Sequence, residues 1–401
     1  MSGRVRQRTS GRDTLAHAEA RLQDYLRDLA ELVAVDSGSH NAHGVNRVAD
    51  WVQRRLHALG FSVERIPPPP GRRPRTGDVL VGRKRGTRTV ADGGRRVLLA
   101  GHMDTVFDDG TAAARPFTLA GPLAHGPGVS DDKGGLLAGL TALEILSGQR
   151  MTDYAELVFL ATPDEEIGSP SSRPVTEDVA RGVHYALALE CARENGDLVV
   201  ARKGVAEYLV KVTGRAAHAG IEPERGANAA LTAARLTVAL QAMNRPARGI
   251  TVNVGVIRAG RLPNIVCDEA ELQVEVRAAT TRHLTAMRAA IEEAAVDCRV
   301  PGTRVAVEER DPCPPMEDTP ATRALFAEAA TAAEGLGITL GAAATGGVGD
   351  ANLIAGTGTP TLDGLGPVGG GDHTPGEWLD TTTVAPRIAL LASLIAALGA
   401  R

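Results

Sequence analysis

Three apolar runs limit the fold of this chain more than any other feature. They are VLLAG (97–101), AELVFLAT (155–162) and HYALALE (184–190). Each has the length and content of a strand buried on both faces. A Gly-rich helical stretch, KGGLLAGLTALEILSG (133–148), separates the first two, and a short helix is predicted before the third. Buried strands alternating with helices predict an α/β unit on a largely parallel sheet. Upstream, Leu22, Leu26, Leu29, Leu32 and Val33 mark an amphipathic helix, and VNRVADWVQRRLHAL (45–59) marks another. FSVERI and DVLVGRK read as further strands around the loop PPPPGRRPRTG.

The texture changes after Gly204. VAEYLVKVTG alternates, NAALTAARLTVALQAMN is helical, and GITVNVGVIRAG and ELQVEVRA are strand-like. A helix from about Thr281 to Cys298 and the strand TRVAVEER complete a β-α-β-β-α-β unit, the ferredoxin-like pattern. The chain then returns to the helix ATRALFAEAATAAEGL, Gly-rich loops and a closing helix, VAPRIALLASLIAAL. One domain inserted into another follows, with a first part over 1–203, an insert over 204–312 and a second part over 313–401.

Each apolar run finishes on or beside an ionisable group. GHMDTV brings His102 and Asp104, GPGVSDDKGG brings Asp131 and Asp132, and TPDEEIGS brings Asp164, Glu165 and Glu166. ALALECA ends in Glu190, and GGGDHTPGE holds Asp372 and His373. In an extended chain residues two apart face the same side, so His102 and Asp104 can converge. The carboxyl ends of the strands form the natural site of an open α/β sheet. Gathering such carboxylates costs several kcal/mol, roughly, unless a cation compensates. Oxygen ligands with two imidazoles suit zinc, with manganese or cobalt as alternatives. Each fragment alone has a plainer reading. Asp131-Asp132 can cap a helix, Glu165-Glu166 can start one in solvent, and Glu190 can pair with Arg193 or Arg202.

Composition narrows the function classes. A net charge of −4 supplies no electrostatic reason to expect nucleic acid or an anionic membrane. No apolar run looks long enough to span a bilayer. The opening MSGRVRQRTSGR leads into no apolar segment and reads as a flexible tail. Cys191, Cys267, Cys298 and Cys313 show no C-x-x-C spacing, so reduced thiols in a cytoplasm are expected.

The ordered set GHMDTV, HGPGVSDDKGG, DEEIGS, AAHAG, PNIV, VEVRA and DHTPGEWLD resembles the M20 family of dinuclear zinc peptidases and deacylases. Nearest are the carboxypeptidase G2-like glutamate carboxypeptidases, with the acetylornithine deacetylase and succinyl-diaminopimelate desuccinylase group behind them. The resemblance implies a zinc-exopeptidase-like α/β catalytic domain with an inserted α+β lid and dimerisation domain. It implies two divalent ions, one on His102 and Glu190 and one on Glu166 and His373, with Asp131 bridging. Asp104 would orient the His102 ring. Glu165 would be the general base, taking a proton from water and delivering it to the leaving amine. His218 would reach a partner subunit's site as an oxyanion donor, in a homodimer. Asn264, Arg277 and Gly347 would hold substrate, the guanidinium suiting a carboxylate. A turn histidine and an arginine paired with Glu275 or Glu269 are the plainer readings of His218 and Arg277. The same resemblance suggests a cis Asp131-Asp132 peptide.

The expected reaction is hydrolysis of an amide to release an amino acid with a free carboxylate. The competing readings are an N-acyl amino acid deacylase and a non-catalytic binding protein on the same fold. The last requires a lost ligand or base, and none is lost. Asp197 and Val199 stand where a glutamate-specific pocket would show basic or hydroxyl groups, with Arg202 and Lys203 nearby.

Overall fold

The strand Arg96–His102 lies inside a six-stranded sheet in the computed structural model, which describes residues 11–71 and 75–400. The sheet order is Ser62–Ile66, Val79–Arg85, Glu156–Thr162, Arg96–His102, Tyr185–Ala188 and Thr361–Leu362. The two pairings at the Ser62 end are antiparallel, and those from Glu156–Thr162 onward are parallel. Alternation divides the central strand between two cores. Val97 and Leu99 pack on one face, while Leu98 and Ala100 pack on the other. This is the largely parallel, two-sided sheet that the apolar runs predict.

The chain forms two compact units. The first runs to Val200 and resumes over Asp318–Ala344 and Gly349–Arg401. The second is Ala201–Glu317 with Thr345–Val348. Thr345–Val348, and with it Gly347, therefore belongs to the second unit, although the sequence boundaries put it in the last part of the catalytic domain.

In the first unit the helix Lys133–Gly148 is apolar nearly all round and almost wholly buried. Thr381–Gly399 closes the unit. By length and composition this helix could cross a membrane, contrary to the expectation that no apolar run is long enough. Here it is a core helix, with Arg387 only 4% exposed among Val384, Ile388, Leu391 and Ile395. The basic opening segment lies mostly outside the described residues. Its last two residues, Gly11 and Arg12, begin a helix, Gly11–Ala20, which buries Thr14 and Ala18.

The first unit also holds a small antiparallel sheet that the sequence pattern does not show. Its order is Gly369–Gly370, Trp378–Asp380, Leu123–His125 and Thr118–Ala120. It makes the segment 371–377 a hairpin loop and ties that loop to the chain just before Asp131.

The second unit is a four-stranded antiparallel sheet in the order Thr251–Ala259, Glu269–Ala278, Gly204–Thr213 and Arg304–Cys313. The helices Ala229–Gln241 and Thr281–Asp297 cover it with Leu236, Leu240, Met287 and Ile291, as a ferredoxin-like unit requires.

Candidate metal centre

The parallel register explains why distant residues converge. His102 is the last residue of its strand and pairs with Thr162, while Ala100 pairs with Ala188. Asp164 and Glu190 follow two residues beyond their strand ends. Three neighbouring strands thus deliver ionisable groups to one edge. Asp131 arrives from the turn before the helix Lys133–Gly148, and His373 from the hairpin loop. His373 has φ 63°, an unusual backbone for a residue with a Cβ.

Two triads form around Asp131. His102, Asp131 and Glu190 can hold one metal ion, and Asp131, Glu166 and His373 a second. His102 Nε2 stands 2.8 Å from Asp131 Oδ1 and 3.5 Å from Glu190 Oε1. His373 Nε2 stands 3.2 Å from Asp131 Oδ2 and 3.0 Å from Glu166 Oε2. Each oxygen of Asp131 therefore faces a different imidazole. The Asp131-Asp132 peptide bond is cis.

The donor set fits divalent ions. Burial, and then the neighbouring acids, push Glu165 and Glu190 well above the usual carboxylate range. Burial and the charge of Asp131 push Glu166 up to about 8. Asp131 goes the other way: its bonds to His102 and His373 outweigh burial and lower it. His373 is pushed up to about 9 by its bond to Asp131, then by the charge of Glu166. So many acids can ionise together only against more positive charge than two imidazoles carry. Oxygen and imidazole ligands on two adjacent centres suit zinc, manganese or cobalt.

Glu165 belongs to neither triad. It opens the short turn Glu165–Ile167, and Asp104 accepts the N–H groups of Glu165 and Glu166, both at 3.2 Å. Asp104 also accepts the Ser39 hydroxyl at 2.6 Å and is fully buried. Gly349 keeps space in front of Glu165: a Cβ there would come within 2.9 Å of Glu165 Oε1 and 3.9 Å of Glu190 Oε1. Neighbouring Asp350 accepts Thr162 Oγ1 at 2.5 Å and Ser169 Oγ at 2.7 Å, tying its helix to the strand end behind Glu165.

Asp132 sits at the start of its helix without capping it by a side-chain bond, so the plain capping reading fails. Its carboxylate turns inward and accepts the His102 N–H at 3.2 Å. The close fit needs glycine: a Cβ on Gly135 would fall 2.1 Å from Asp132 Oδ1 and 1.9 Å from the Leu189 carbonyl oxygen. Two residues went unnoticed in the sequence. Gly349 carries no chemistry of its own, and Glu377, 1% exposed, accepts the N–H groups of Gly128, Ser130 and Asp131. In the sequence Glu377 stands beside Trp378 and Leu379, in a run too short to show which way the acid turns.

The remaining candidates lie in the second unit. His218 bridges Ile265, and the Ala219 N–H donates to the Asn264 carbonyl at 3.0 Å, so His218 and Asn264 are neighbours. Arg277 forks onto Glu275 at 2.9 and 3.0 Å, the plainer of its two sequence readings, and donates to the Gly346 carbonyl at 2.8 Å. Arg202 reaches the Gly347 carbonyl at 3.4 Å. In the first unit Val199 is buried, and Asp197 accepts from Asn195 at 2.9 Å.

Residues 98–397 match the model described as peptidase family M20/M25/M40. The chain is 32% identical over 378 residues to carboxypeptidase G2 of Pseudomonas sp. (strain RS-16), covering 94% of this chain and 89% of that one. It is 31% identical over 291 residues to acetylornithine deacetylase of Proteus mirabilis (strain HI4320), covering 68% and 70%. Among solved structures, aminopeptidase PepT of Bacillus cereus superposes with a TM-score of 0.78 at 25% identity, covering 94% and 98%.

Proposed function

The chain belongs to peptidase family M20/M25/M40 and is a hydrolase, and from that premise we propose that it is a carboxypeptidase-type amide hydrolase. It releases an amino acid with a free carboxylate. The observation that carries this reading is the pair of triads sharing Asp131, with Glu165 beside them and in neither. His102, Asp131 and Glu190 would hold one divalent ion, and Asp131, Glu166 and His373 the other, zinc foremost. Such ions, when bound, supply Lewis-acid polarisation of the scissile carbonyl.

Glu165 takes a proton from the attacking water and returns it to the leaving amine. Burial raises the Glu165 carboxyl above the usual carboxylate range, which makes its ionised form a stronger base toward water. Asp104 holds the turn that aims it. His218 donates to the developing oxyanion from the partner subunit of a homodimer. Its Nδ1 accepts the Gly220 N–H at 3.2 Å, which leaves the proton of the neutral ring on Nε2. Arg277, with Asn264 and the Gly347 backbone, binds the substrate carboxylate. Its bonds to Glu275 and Gly346 use three of the five N–H groups of a guanidinium. Ile221, Val238, Ile257 and Leu262 are exposed on the second unit and support pairing through that unit. Cys191, Cys267 and Cys298 are free thiols, which fits a reducing cytoplasm.

The likeness to acetylornithine deacetylase favours a second reading, removal of a small acyl group from an amino acid. Zinc-loaded protein assayed against dipeptides, N-aroyl amino acids and N-acetyl amino acids separates the two. Release of a carboxyl-terminal amino acid from bulky acyl or peptidyl substrates is expected. Turnover confined to acetyl substrates would favour the deacylase, and no hydrolysis by metal-loaded protein would overturn both.

A further inference from the structure

Glu377 grips the loop that delivers Asp131. Its Oε2 accepts the Gly128 N–H at 2.9 Å, and its Oε1 accepts those of Ser130 at 2.9 Å and Asp131 at 3.1 Å. The gripped segment, HGPGVSD, is poorly suited to hold its own shape. Gly126 and Gly128 have φ 145° and 78°, and glycine at such positions carries a large conformational entropy in the unfastened chain. Bonds from N–H to a carboxylate are about twice as strong as those to a neutral acceptor. Three on one side chain make an outside clamp.

The clamp comes from the element that carries the other triad's imidazole. Glu377 lies four residues beyond His373, at the foot of the same hairpin. Its backbone carbonyl stands 3.0 Å from His125 Nδ1, and the next residue, Trp378, pairs with His125 in the small sheet. One residue thus fastens the His373 hairpin to the Asp131 loop.

We propose that Glu377 is a positioning residue that aims the Asp131 carboxylate so that it serves both triads at once. Asp131 turns Oδ1 to His102 at 2.8 Å and Oδ2 to His373 at 3.2 Å, so a small rotation of the loop breaks one of the two. The Asp131 N–H, adjacent to the Cα that bears this carboxylate, is itself one of the three clamped groups. The inference rests on the reading of Asp131 as the shared ligand.

Full-length Glu377→Ala and Glu377→Gln test it, in metal-free and zinc-loaded protein. In metal-free Glu377→Ala, the amides of Gly128, Ser130 and Asp131 should exchange hydrogen about tenfold faster or more, while the central sheet keeps its protection. Zinc affinity should weaken about 10- to 100-fold, with kcat reduced and KM within about twofold of wild type. Glu377→Gln should be milder in a specific way. Its amide oxygen can retain Ser130 and Asp131, while its NH₂ group faces the Gly128 N–H, so only the Gly128 amide loses protection. Wild-type exchange and zinc affinity in Glu377→Ala would overturn the proposal. So would exchange raised throughout the first unit in both variants, which marks general destabilisation. If wild-type protein takes up no divalent ion, the ligand reading fails, and the exchange pattern still decides whether Glu377 holds the loop.

Discussion

His102 turns its Nδ1 to Asp104 twice over, with the Asp104 backbone carbonyl oxygen 3.1 Å away and a carboxylate oxygen 3.4 Å away. The carboxylate has closer business elsewhere, with Ser39 and with the N–H groups of Glu165 and Glu166. Asp104 therefore steadies the His102 ring through its main chain and the Glu165-Glu166 turn through its side chain. The sequence predicts only a carboxylate facing the ring. The strand stops at His102, and the irregular backbone beyond it brings the carbonyl in first.

Asp104→Asn should lower kcat/KM by about 10- to 100-fold, because its NH₂ group must face at least one N–H donor. Asp104→Ala should cost more activity and lower unfolding stability by about 1–3 kcal/mol, since buried N–H groups lose their acceptor. Steady-state kinetics and denaturant titration measure both. Near-normal kcat in Asp104→Ala would show that the turn needs no support.

Glu165→Gln should reduce kcat by about 100- to 10,000-fold while leaving metal content unchanged. The amide matches the carboxylate in shape but takes no proton, and Glu165 is in neither triad. Elemental analysis beside the kinetics separates lost base from lost metal. A Gln variant with near-normal kcat removes Glu165 from the mechanism.

The metal-free protein should become less stable as pH rises. His373 has its folded-state pKa raised from 6.5 to about 9, so its stabilisation is complete below 6.5 and is lost as pH passes through 9. Glu166 is raised from 4.5 to about 8, so the folded state holds a proton that the unfolded chain has released, and stability falls across that interval too. Glu165 and Glu190 shift in the same direction. Zinc uptake near neutral pH must then release protons, and zinc affinity should rise with pH over the same window. Calorimetry in two buffers of different ionisation enthalpy reads the proton count. No proton release, or metal-free stability that climbs from about pH 5 to pH 9, would contradict this assignment.

What the sequence revealed follows from length and period. VLLAG and AELVFLAT are long enough to read as buried strands, and the parallel register then carries His102, Glu165 and Glu190 to one edge. Gly369–Gly370 and Trp378–Asp380 are too short to show any alternation; they pair with each other, and only Trp378–Asp380 pairs with Leu123–His125, about 250 residues away. Without that small sheet Glu377 looks like one more acid in a polar loop. Gly349 was hidden for a different reason: its role is to add nothing where Glu165 needs room. Thr345–Val348 is a glycine-rich segment whose unit is set by tertiary contacts alone.

Subunits inactivated at different residues should rescue each other. His218→Ala mixed with Glu165→Gln yields hybrid dimers in which one site has Glu165 from one chain and His218 from the other. Under random exchange activity should reach about a quarter of wild type, since half the dimers are hybrids with one competent site each. A mixture no more active than its parents, with exchange verified by mass, would remove His218 from the partner's site. A fully active monomer would refute the dimer itself.

Anomalous diffraction from crystals of the zinc-loaded protein tests whether two ions share Asp131. Two zinc peaks per chain are expected, about 3.5–4 Å apart, one beside His102 and Glu190, the other beside Glu166 and His373, with Asp131 between them. A single peak, no peak, or peaks away from Asp131 would contradict it.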